Sequence, residues 1–242
     1  MLIRLLRIEL AKTRRSLALL MALACPFVVV LLNFMIQIKS KRAVNWEMYW
    51  MGQTAVWSYF MYPLYIALVT ALLNGNEHRN GTWRVMLTMP ISRTQLYLAK
   101  LILAFIFLLA SNLALFVFAA GSIYILGLLG LSVAGAFEFD FGHAIMVLML
   151  ASLPILAIQH WISWRVPNIV APLTLSVAAT MAILQVGQSK DWVYHPWTYV
   201  MAALNASELS TRQNALYLGL GTGLSLIMLS LLWVKYRSQE FR

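Results

Sequence analysis

The chain has 242 residues, 62% of them hydrophobic and only 11% charged, with a formal net charge of +10. Soluble domains carry about 25% charged residues, so the composition excludes an ordinary soluble fold and points to an all-α membrane protein. The basic excess invites a nucleic-acid partner, but its placement along the chain argues for membrane topology instead, with no nucleic acid bound.

Residues 1–15, MLIRLLRIELAKTRR, read as an amphipathic helix lying on a membrane surface. At 3.6 residues per turn Leu2, Ile3, Leu6 and Leu10 share a face, and Arg4, Arg7, Arg14 and Arg15 cluster a third of a turn away. Glu9 falls at the apolar margin, where a carboxylate is out of place.

Six apolar runs follow, at 16–38, 51–74, 100–126, 143–164, 169–186 and 215–234. A helix of about 20 residues crosses the hydrocarbon layer, and full charges are nearly absent from all six runs. The expectation is one transmembrane domain over 1–242. Pro26, Pro63, Pro154 and Pro172 predict kinks within the runs. With six spans and the N-terminus inside, 13 of the 18 basic residues fall on the inner side, as the positive-inside bias requires. Both termini are therefore expected on the cytoplasmic side, although Lys39, Lys41 and Arg42 fall outside.

The single cysteine, Cys25, excludes an internal disulfide framework. The first outer loop, 39–50, ends in Trp46, Tyr49 and Trp50, which read as an interfacial aromatic belt. Between the second and third runs lies NEHRNGTWRVMLTMPISRTQLYLAK, from Asn76 to Lys100. Thr82 to Met89 predicts a helix of about two turns, ended by Pro90. Its polar stripe is narrow, Arg84 and Thr88, and Trp83, Val85, Met86, Leu87 and Met89 cover the rest. Ser92-Arg93-Thr94-Gln95 is a capping box opening the next helix. A short helix with so much apolar surface needs a membrane or a partner to cover it.

On the outer side Glu138-Phe139-Asp140-Phe141 forms an acidic and aromatic patch, suited to a cationic amphiphile or to an ordinary solvated loop. The segment 187–214 is dense in Trp192, Tyr194, His195, Pro196, Trp197 and Tyr199, which suggests interfacial or re-entrant helices. Among intramembrane polar residues Asn33, Asn112, Gln159, His160 and Gln185 stand out. They line a substrate pathway or bond helices to one another. Gly219 and Gly223, four apart, allow close helix packing.

Catalytic signals are missing. No G-x-x-x-x-G-K-[ST] phosphate loop occurs, the four histidines show no metal-ligand spacing, and no G-x-S-x-G is present. The chain is not expected to be an enzyme or to hold a cofactor.

Taken together, Glu77, Gly81-Thr82, Leu87, Pro90, Ser92-Arg93 and Lys100 resemble the pattern of type-2 ABC exporter permeases. Within that class the chain is similar to the bacterial bacitracin-resistance and lantibiotic-immunity permeases. The resemblance implies an N-terminal elbow helix on the membrane and a coupling helix at Thr82 to Met89 that docks on an ATPase. The coupling residues it implies are Glu77, Arg79, Gly81, Thr82, Trp83, Arg84, Met86, Leu87, Pro90 and Arg93. It also implies two permease chains, identical or homologous, with two ATPase chains that carry ATP and Mg. Asn33, Asn112, Gln159, Gln185, Glu138 and Asp140 are the pathway candidates. The cargo is left open between an amphiphilic or peptide-like substrate, metal-site maturation and ion extrusion. A membrane scaffold without an ATPase is the remaining alternative.

Overall fold

The computed structural model describes residues 2–14, 16–40, 44–79, 92–187 and 189–237, with the backbone alone at 76–79 and 237. The described residues form an all-α fold, with no strand among them. The predicted coupling helix, Thr82 to Met89, lies outside the described residues.

The N-terminal helix α1 is Leu2–Lys12, and α2, Leu17–Ser40, is the first long apolar helix. Next come α3, Trp46–Val56, a π turn, Trp57–Met61, and α4, Tyr62–Arg79. The π turn has a cause in the sequence. Pro63 lacks the N–H that would bond to the preceding turn, and the chain widens so that Tyr62 N donates to Trp57 O, five residues back. Helix α5, Arg93–Leu128, has 36 residues and no interior proline, giving a spine about 54 Å long. Ser92 caps it as read from the sequence, its Oγ accepting from Gln95 N at 3.1 Å.

The fourth apolar run is bent. Helix α6, Phe141–Ala151, and α7, Leu153–Arg165, meet at 45° around Ser152, where Pro154 interrupts the backbone ladder. Helix α8, Val170–Val186, has 17 residues. A short 3-10 turn, Lys190–Tyr194, leads to α9, Pro196–Asn205, and α10, Leu209–Arg237, closes the described chain. Among the described residues four helical stretches are long and apolar enough to cross a membrane, and the bent pair α6–α7 adds a fifth when its two halves are counted as one span. Their outward faces, such as Leu20, Phe27, Val117 and Leu229, are exposed apolar side chains.

Two local expectations are corrected. Trp46, Tyr49 and Trp50 do not form a surface belt: all three are buried. Indole Nε1 of Trp46 donates to Ser132 O at 3.1 Å, and that of Trp50 to Ala136 O at 2.8 Å. Trp50 also stacks on Phe139, ring centroids 5.3 Å apart. A loop carbonyl thus satisfies each indole N–H that burial takes from water. The second correction is in α1, where Glu9 is buried with Leu5 on the face packed against the rest of the molecule. Glu9 is not marginal; it is the residue that docks the helix.

Candidate functional site

Two polar regions stand at opposite ends of the spine helix α5. The first gathers where α4 ends, α5 begins and α7 ends, beside the undescribed segment 80–91. Glu9 and Lys100 are 3% and 1% exposed, and Lys100 Nζ lies 2.9 Å from Glu9 Oε2. Lys12 Nζ holds the other carboxylate oxygen, Oε1, at 2.6 Å. Lys100 also donates to Leu73 O at 2.6 Å. One ammonium therefore ties α1, α4 and α5 together. Burial pushes the Glu9 carboxyl up, but the ammoniums of Lys100 and Lys12 outweigh it, and it titrates below its ordinary value of 4.5.

One turn away, Asn74 Nδ2 donates to Ser163 Oγ at 2.8 Å and faces His160 Nδ1 at 3.2 Å. His160 Nε2 lies 3.2 Å from Tyr97 O. Asn74 Nδ2 is a donor, so Nδ1 accepts and the imidazole proton sits on Nε2. Its ring packs on Tyr97, centroids 4.4 Å apart. These bonds fasten α7 to α4 and α5. Four helices are thus joined at the level where segment 80–91 leaves α4 and returns to α5.

The second region is an open cleft of about 510 Å³ lined by Trp46, Glu47, Trp50, Gly135, Glu138 and Asp140 among others. Gly135, at φ +74°, takes the left-handed turn that an L side chain resists, and the turn brings Glu138 over the cleft. Asp140 caps α6, its Oδ1 accepting from His143 N at 2.9 Å. Among the described residues no group of carboxylates, histidines or cysteines has the spacing to hold a metal ion. The wall instead offers three acids above an aromatic floor.

The pathway candidates are separated. Asn112 is wholly buried with both amide ends engaged: Oδ1 accepts from Trp57 Nε1 at 2.8 Å, and Nδ2 donates to Tyr62 OH at 3.0 Å. Tyr62 OH in turn lies 3.2 Å from Ser152 Oγ, so this group fastens the π turn, α5 and the α6–α7 bend. Asn33 is half-buried, with Nδ2 donating to Val29 O at 3.0 Å and to Gln53 Oε1 at 3.4 Å. Gln159 is buried, and neither amide atom has a hydrogen-bond partner among the described residues. Gln185 is exposed near the end of α8, and Glu138 and Asp140 are exposed in the outer cleft.

Of the coupling candidates, Arg93 is the first residue of α5 and half-buried. Glu77 and Arg79 lie in the last turns of α4. Gly81, Thr82, Trp83, Arg84, Met86, Leu87 and Pro90 lie outside the described residues. Sequence reasoning passed over Glu9 as a site residue, along with Glu47 of the outer cleft. A carboxylate on an apolar face and a lysine within an apolar run are two misfits of opposite sign, and that was the available signal.

Apolar helices of this length and number make the chain a multi-pass membrane protein. It belongs to the ABC-2 family transporter proteins, whose family model matches residues 5–183, well over half of the chain. Members of that family are transport membrane subunits that work with an ATPase partner. No curated protein and no solved structure matches the chain.

Proposed function

We propose that this chain is the permease half of an ATP-driven exporter in a bacterial inner membrane, with both termini cytoplasmic. Helix α8, about 26 Å long by its 17 residues, serves as the sixth span, since 17 residues is the short limit for crossing. Two such chains, identical or homologous, assemble with two ATPase chains that supply ATP and Mg. The cargo is an amphiphilic or peptide-like cation, as in antimicrobial-peptide immunity, met first by Glu47, Glu138 and Asp140. The segment from Glu77 to Arg93 receives the push of ATPase closure, and rocking of the helices follows.

The observation that supports this reading best is the buried Glu9–Lys100 pair with its bond to Leu73 O. A force arriving between α4 and α5 meets helix ends already fastened to α1, rather than loose ends that would absorb it. The test is a charge on the apolar face of the segment. Met86→Glu or Leu87→Glu is expected to insert normally but to lose at least tenfold in ATPase co-purification or in substrate-stimulated ATP hydrolysis. A variant that inserts, binds its ATPase and transports at the parental rate removes the coupling role.

A further inference from the structure

On the face of the molecule formed by α7 and α10 lies an apolar groove of about 430 Å³ that neither polar region uses. Its shape follows from the residues facing each other along the two helices. At one end Gly219 and Gly223 bring α10 against the bend. A Cβ at Gly219 would stand 2.7 Å from Ala151 Cα, and one at Gly223 2.4 Å from Leu153 Cβ. Further along, Leu226, Leu229 and Trp233 on α10 face Ala157, Ile158 and Trp161 on α7, and a groove opens between them. Its one hydroxyl, Ser230 Oγ, is already donated to Ile227 O at 2.8 Å.

The far end carries a fixed cation. Trp161 and Trp233 meet edge to face, centroids 5.9 Å apart. The Arg165 guanidinium carbon lies 5.0 Å and 4.7 Å from the two ring centroids. Cation–π contact holds the plane of a guanidinium while leaving its edge N–H groups free to donate. Arg165 is exposed, and among the described residues no carboxylate pairs with it.

We propose that this groove binds one acyl chain of an anionic phospholipid, with the lipid phosphate held by Arg165. Three observations select that occupant. Apart from two indole N–H groups the wall is apolar, with its one hydroxyl already bonded within α10, so it suits hydrocarbon. From Leu226 to Trp233 α10 rises about 10 Å, so 430 Å³ gives a cross-section of about 40 Å². That is roughly a third to a half of the section of a helix 10–12 Å across, so an alkyl chain fits and a transmembrane helix of a second copy does not enter. Finally, an arginine at the mouth matches a phosphate, which takes two parallel N–H donors. The leaflet is the one at the C-terminal ends of α7 and α10, cytoplasmic on the topology proposed above; the binding itself does not depend on that topology.

Native mass spectrometry of the purified chain in mild detergent tests the idea, with phosphatidylglycerol and phosphatidylcholine of identical acyl chains as probes. The wild type is expected to retain one phosphatidylglycerol about tenfold more strongly than one phosphatidylcholine. Arg165→Gln is expected to abolish the preference while leaving weak retention of both lipids. Leu229→Trp, which fills the groove from an exposed position, is expected to reduce retention of both. Equal retention by the wild type, or a preference surviving Arg165→Gln, overturns the proposal. So does a Leu229→Trp variant that changes the oligomeric state and leaves lipid retention intact, because a second copy then covers the face.

Discussion

The two ends of α5 handle charge in opposite ways. Near its start, Glu9 and Lys100 are buried and of opposite sign, each held by the other and by further bonds. Beyond its far end, Glu47, Glu138 and Asp140 are exposed and of like sign around one cleft. A buried pair is weakly screened and binds its elements rigidly, but it leaves nothing for a ligand. Exposed like charges stay hydrated, and they present a field that an incoming cation can use. The first arrangement suits a mechanical joint and the second a reception surface.

Breaking the buried pair has the largest expected effect. Glu9→Leu removes the carboxylate and leaves the Lys100 ammonium buried, which costs about 3–5 kcal/mol. The Glu9→Leu/Lys100→Met double variant replaces both charges with apolar groups and is expected to recover most of that loss. Thermal unfolding in a fixed detergent reads both. If Glu9→Leu alone is as stable as the wild type, the joint is not a joint and the contrast between the ends dissolves.

Acid sharpens the same contrast. The Glu9 carboxyl is held below its ordinary 4.5 in the folded chain. Its contribution to stability is therefore complete above pH 4.5 and is lost as pH falls through the lowered folded value. Between pH 7 and acid conditions below 4.5, the wild type is expected to lose more stability than the Glu9→Leu/Lys100→Met variant. Parallel losses in the two proteins would assign acid sensitivity to other groups.

The helices were legible in the sequence, and the reason is local. Apolar runs, Ser92 with Gln95, and the prolines at 63 and 154 each act within a turn or two, so a run, a cap or a break follows from neighbours alone. Segment 187–214 likewise showed its helical character through its aromatic density. What was not legible depends on residues far apart in the chain. Trp46 and Trp50 have the composition of an interfacial belt, and only the loop carbonyls of Ser132 and Ala136 show why they are inside. Glu9 and Lys100 each looked misplaced, and neither carries a mark naming the other. Glu47 joins Glu138 and Asp140 only because α3 packs against the loop before α6. The proposed six-span topology and the proposed coupling action of segment 80–91 rest on charge bias and family pattern.

The outer cleft offers the smallest expected effect on stability and the more selective effect on ligand. Glu47→Gln, Glu138→Gln and Asp140→Asn together remove three charges without removing a cap, since asparagine caps a helix about as well as aspartate. Exposed charges are worth little to the fold, so the melting temperature is expected to stay nearly constant. Binding of a synthetic cationic amphipathic peptide is expected to fall by about twofold per charge, roughly tenfold in total. The wild-type affinity should also drop as salt rises, because exposed charges are screened beyond about 8 Å at physiological ionic strength, while the Glu9–Lys100 joint should show little salt response. The triple variant thus asks whether charge at this end does something other than hold the fold. Undiminished peptide binding at low salt would reduce the cleft to a solvated loop and leave the buried joint as the one region where charge matters.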